Sequence, residues 1–131
     1  MNHLLHSPKL LAAVTFALSV LTIPAAADES LALDVVTGAW VRPDGSYLIL
    51  IKKVGADGAL DAMYFNPNPL PFAKAQASRA GDRLHASFEL RAGGYEGSTY
   101  ELDYDRSTDR LIGTYYQALA KQKFNVLFVR K

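Results

Sequence analysis

Arg83-Leu84-His85-Ala86-Ser87-Phe88-Glu89-Leu90-Arg91 decides the fold. Leu84, Ala86, Phe88 and Leu90 alternate with five polar or charged residues, the period-2 pattern of a strand with one face in a core and the other in water. Thr99 to Asp105 repeats it, with Tyr100, Leu102 and Tyr104 on one face and Glu101, Asp103 and Asp105 on the other. The short link between the two predicts an antiparallel hairpin with Arg83 opposite Asp105 and His85 opposite Asp103. On that register the acidic row is a cross-strand charge ladder.

Outward from this hairpin the turn signals recur regularly. Pro43-Asp44-Gly45, Gly55-Ala56-Asp57-Gly58, Gly81-Asp82, Gly93-Gly94 and Ser107-Thr108-Asp109 separate runs rich in aromatic and β-branched residues. The spacing predicts strands over 39–42, 46–54, 59–65, 72–79, 83–91, 99–105, 110–118 and 123–130. Eight consecutive antiparallel strands predict an all-β, eight-stranded antiparallel up-and-down barrel, since closure removes exposed edges; a β-sandwich is the alternative. Residues 47–51 and 124–129 are apolar on both faces, which requires a cover outside or mutual packing of their flanks. Ala73, Ala75 and Ala77 give one strand a small-residue face, and residues 30–36 suit a short helix or turn that plugs an end.

Ahead of the barrel, His3, His6 and Lys9 precede the 14-residue apolar run Leu10 to Ile23, then Pro24 and Ala25-Ala26-Ala27. Such a run spans only about 21 Å as a helix, short of the roughly 30 Å hydrocarbon core. The pattern is that of a signal peptide over 1–27, cut after Ala27, with a single barrel domain over 28–131 in the periplasm or secreted. The chain of 131 residues has no cysteine, which excludes disulfides and thiolate metal sites, and 14 Lys+Arg against 13 Asp+Glu give no electrostatic case for nucleic acid.

Connections of an up-and-down barrel alternate between its ends. Those at 43–45, 66–71, 92–97 and 119–122 share one end, and the tight turns 55–58, 80–82 and 106–109 share the other. The longer loops mark the first as the end built for contact. There Asn66-Pro67-Asn68-Pro69-Leu70-Pro71 reads as a stiff loop.

Several motifs carry resemblances. Gly38-Ala39-Trp40 opens the first strand, Leu102-Asp103-Tyr104 sits late in the sixth and Arg130 ends the eighth. This resembles the lipocalin pattern, with Leu102 at its threonine position. The resemblance implies a closed end made by Trp40, Asp103, Tyr104 and Arg130, with Arg130 stacked on Trp40. Thr37 to Leu60, with its Gly-x-Trp strand and Asp57-Gly58-Ala59-Leu60 hairpin, resembles avidin-type barrels, so the family expectation is a calycin-type barrel. Tyr64-Phe65-Asn66-Pro67, Gly97-Ser98-Thr99-Tyr100 and Gly113-Thr114-Tyr115-Tyr116-Gln117 are similar to motifs of small exported bacterial proteins of unknown function.

The chemistry of the mature part is sparse. His85 is its single histidine and has no ligand cluster around it. Ser87 lacks an orienting neighbour, and Glu89, Glu96 and the Glu101, Asp103, Asp105 row offer no convergent acid/base pair. No metal, cofactor or catalytic residue is expected, and the chain reads as non-enzymatic. The aromatics say more. Tyr47, Tyr64, Tyr100 and Tyr115 lie on strands with an inward face, Tyr95 lies in the Gly-rich loop, and Asn66, Asn68, Gln117 and Gln122 bring polar groups to the same end. The expectation is a small apolar or aromatic ligand at that end, contacted by Tyr47, Tyr64, Asn66, Asn68, Tyr95, Tyr100, Tyr115 and Gln117. The alternative is a protein-binding module, such as an exported inhibitor or envelope accessory protein, using the same loops. A filled interior favours the second and an open, Tyr-lined mouth the first.

Overall fold

A computed structural model describes residues 11–22, 32–91 and 93–131. Eight antiparallel strands close into a barrel in sequence order. They are β1 (Gly38–Val41), β2 (Leu48–Val54), β3 (Leu60–Phe65), β4 (Pro69–Ala80), β5 (Arg83–Leu90), β6 (Thr99–Asp105), β7 (Arg110–Gln117) and β8 (Gln122–Arg130). The architecture is compatible with a calycin-type barrel. Residues 11–22 carry no helix or strand and stand exposed, and no described helix is long and apolar enough to cross a membrane. The cut expected after Ala27 lies outside the described residues.

The period-2 reading holds on β5 and β6. Leu84, Ala86, Phe88 and Leu90 are all buried, and His85 pairs with Asp103 as the alternation requires. Arg83 departs from its expected partner: Asp105 pairs with Arg110 of β7, and Arg83 reaches diagonally to Asp103 at 3.3 Å.

Two local expectations are corrected. The proline segment is not a six-residue loop, because β4 begins at Pro69 and only residues 66–68 turn. Phe65, Tyr64 and Met63 pair with Pro69, Leu70 and Pro71. Of those three only Leu70 has an amide to share with β3, so both missing donors fall on the opposite side, beyond the point where β5 stops. The alanine face is also interrupted. A bulge between Phe72 and Lys74 turns Phe72 inward and leaves Ala73 exposed, while Ala75 and Ala77 stay on the core side.

Buried residues form one hydrophobic cluster inside the barrel. Trp40, Ile49, Tyr64, Phe88, Tyr100, Leu102, Leu111 and Phe128 have lost essentially all contact with solvent. Rings interlock through it, Tyr64 lying 5.9 Å from Phe72 and from Tyr100, and Tyr100 lying 5.3 Å from Phe128. The expected plug is a 3-10 turn, Leu33–Val36, whose Val36 is buried at one end of the barrel. The doubly apolar strands β2 and β8 do not pack flank to flank. β1 separates them and its Ala39 and Val41 join the half-exposed outer residues Leu48, Leu50, Leu127 and Val129 into one apolar face.

Candidate functional site

At the closed end one arginine ties three segments together. Arg130 Nε and Nη2 donate to the Asp109 carboxylate at 2.9 and 3.0 Å, while Nη1 and Nη2 donate to the carbonyls of Thr37 and Val35 at 2.7 and 2.9 Å. Its guanidinium carbon lies 4.2 Å from the Trp40 ring centroid, and Trp40 Nε1 donates to the Val36 carbonyl at 2.8 Å. Tyr104 meets Trp40 edge-on at 6.3 Å and donates its hydroxyl to Asp109. The Arg130 hydrogen bonds hold the Asp109 carboxyl below the usual carboxylate range. Trp40, Tyr104 and Arg130 therefore meet as expected.

Asp103 does not join them. It lies between the core-facing Leu102 and Tyr104, so the alternation points it outward, where it accepts from His85 Nδ1 at 2.8 Å. The carboxylate of the closed end is Asp109, whose only sequence signal was its place in a turn. There it adopts a left-handed φ of 51°, which brings its side chain under Arg130.

The outer ladder centres on His85, held by Asp103 and, through Nε2, by Glu101 at 2.5 Å. Partial burial pulls its pKa down, but the two carboxylates outweigh this and raise it overall. Both ring nitrogens are thus engaged by carboxylates. Among the described residues no group of His, Cys, Asp and Glu is placed to hold a metal.

At the opposite, loop-bearing end the organising residue is Arg42, which the sequence reading passed over although it shares the inward parity of Gly38 and Trp40. Its guanidinium lies 4.5 Å from the Tyr47 ring and 5.9 Å from the Tyr115 ring. Nη1 donates to the Tyr100 hydroxyl at 3.1 Å, and Nε and Nη2 grip the exposed Asp44 carboxylate at 3.0 and 2.7 Å. The Tyr100 hydroxyl in turn bonds that of Tyr64 at 3.1 Å. Burial lowers the Arg42 pKa, yet the bonds to Asp44 and Tyr100 more than offset it, so Arg42 stays charged; burial pushes the Tyr64 hydroxyl far up and that of Tyr100 up.

Four of the eight expected contact residues, Tyr47, Tyr64, Tyr100 and Tyr115, thus converge, but on Arg42 and on each other. Asn66 Nδ2 donates to the Tyr95 hydroxyl at 2.7 Å, forming a second cluster at the rim. Asn68 is exposed in the turn and Gln117 ends β7 paired with Gln122; neither joins the aromatic group. The rim also exposes Phe124, stacked 6.5 Å from Tyr115, and Leu119.

One groove lies outside the barrel. It holds about 640 Å³ over the outer faces of β7 and β8, lined there by Ile112, Thr114, Asn125 and Leu127, with Pro43 and Asp44 at one side and Asp103 of β6 at the other. Set against protein-family models, curated proteins and solved structures, the chain matches none of them.

Proposed function

We propose that the protein is an exported, non-catalytic binding module of calycin type, released by cleavage after Ala27, that engages a partner protein through its loop-bearing end. One observation carries this reading: the aromatic residues that would line a ligand chamber fill the barrel instead, with Tyr64 and Tyr100 fully buried and hydrogen-bonded to each other. Recognition is then left to the surface, and the rim offers Leu119 and Phe124 to it. A second reading keeps a small aromatic ligand at the same rim, and the stack of Tyr47, Arg42 and Tyr115 favours it.

Native mass spectrometry of the protein taken from its own exported fraction separates the two. A stoichiometric complex with a second polypeptide is expected. A lone barrel with a reproducible small-molecule adduct would overturn the partner-protein reading.

A further inference from the structure

The seam that closes the barrel is short. β1 and β8 pair only at Trp40 with Arg130 and at Val41 with Val129, whereas β7 pairs with β8 along its whole length without a register shift. Just beyond, the Lys131 amide donates to the Ala39 carbonyl at 2.9 Å. Backbone groups of an antiparallel strand alternate sides, so those of Lys131, Val129, Leu127, Asn125 and Lys123 face β1's side. Continued pairing would set position 43 opposite Leu127. That residue is Pro43, which has no amide to give, and the chain turns back into β2 with Arg42 N–H donating to the Tyr47 carbonyl. Among the described residues nothing pairs with the outward backbone edge of Lys123, Asn125 and Leu127.

We propose that this edge of β8 is a strand-addition site for an extended segment of a partner polypeptide, a refinement that rests on the partner-protein reading above. An unpaired strand edge presents alternating donors and acceptors that an extended main chain satisfies. The edge borders the groove that runs from Pro43–Asp44 over the outer face of β8, so an incoming strand lies beside Asn125 and Leu127. Lys121 and Lys123, both exposed, favour acidic residues flanking the apolar ones.

The test titrates the isotope-labelled full chain with blocked heptapeptides of the form acetyl-Glu-Val-Thr-Val-Thr-Val-Glu-amide and its Ile/Tyr and Leu/Ser analogues, followed by amide resonances. Saturable shifts at Lys123, Asn125 and Leu127 are expected, with no binding when the central peptide residue is proline. Asn125→Pro removes an amide that no ladder uses and is expected to weaken binding at least roughly tenfold while the fold persists. Absence of shifts at those amides for every peptide at millimolar concentration would overturn the proposal, as would binding indifferent to the peptide proline or to Asn125→Pro. Shifts there that grow with protein concentration alone would give the edge to a second copy and also overturn it. A native partner that binds Asn125→Pro unimpaired refutes strand addition alone, whereas a lone barrel in the native spectrum refutes the reading beneath it.

Discussion

Arg130 covers the indole of Trp40 at 4.2 Å and in the same pose grips Asp109 with two hydrogen bonds. In a chain without cysteine, this contact fastens the start of β1, the end of β8 and the β6–β7 turn without a covalent link. Arg130→Ala leaves the Val35 and Thr37 carbonyls and Asp109 without their donor. Thermal unfolding is expected to show a loss of about 2–3 kcal/mol, with a shift in Trp40 fluorescence. Unchanged melting and emission would contradict the closure.

Arg42 does at the loop-bearing end what Arg130 does at the other. Arg42→Met retains much of the stem and removes the charge between Tyr47 and Tyr115. The tyrosine bands of the near-ultraviolet circular dichroism spectrum are expected to change, because the Tyr64–Tyr100 hydroxyl pair loses its third member. Tyr64→Phe removes one hydroxyl from the same chain and should cost about 1 kcal/mol in a denaturant titration.

Gly113 is fixed by crowding. A Cβ at that position would fall onto the Glu101 carbonyl of the neighbouring strand, while at Gly94 it would meet open space. Gly113→Ala is expected to cost roughly 3 kcal/mol or more, or to prevent folding. Gly94→Ala incurs only the strain of its positive φ, about 1 kcal/mol. Comparable melting temperatures for the two variants would refute this contrast.

The His85 cluster makes stability pH-dependent in a defined direction. Its folded pKa is raised above the unfolded value, so its contribution is complete below the unfolded pKa of about 6.5 and is lost as pH rises through the folded one. The cluster is solvent-screened, so the effect is at most about 1 kcal/mol. Melting curves from acidic to alkaline pH are expected to show this decline in the native chain and not in His85→Gln.

The barrel was legible because β5 and β6 alternate cleanly; half-buried strands write their two faces into sequence. The proline segment was misread because Pro69 and Pro71 suggest a break, yet two prolines spaced by two lose donors on one side only, which an unpaired flank tolerates. Asp109 and Arg42 were missed for related reasons. A turn aspartate looks like punctuation until a left-handed backbone aims it, and a charged residue after a short strand looks exposed until parity sets it inside. The tyrosines of the loop-bearing end were found, but periodicity does not tell a lined chamber from a filled one. That depends on which rings meet across the barrel, and Tyr64 and Tyr100 meet.

Site-resolved amide hydrogen exchange along β8 tests the open seam most directly. Phe124, Val126 and Phe128 face β7 and are expected to be protected, whereas Lys123, Asn125 and Leu127 face the gap beside Pro43 and should exchange far faster. Alternation from residue to residue, ending at Val129 where β1 begins to pair, is the predicted result. Uniform protection from Lys123 to Val129 would mean that the edge is already covered, and would contradict the account.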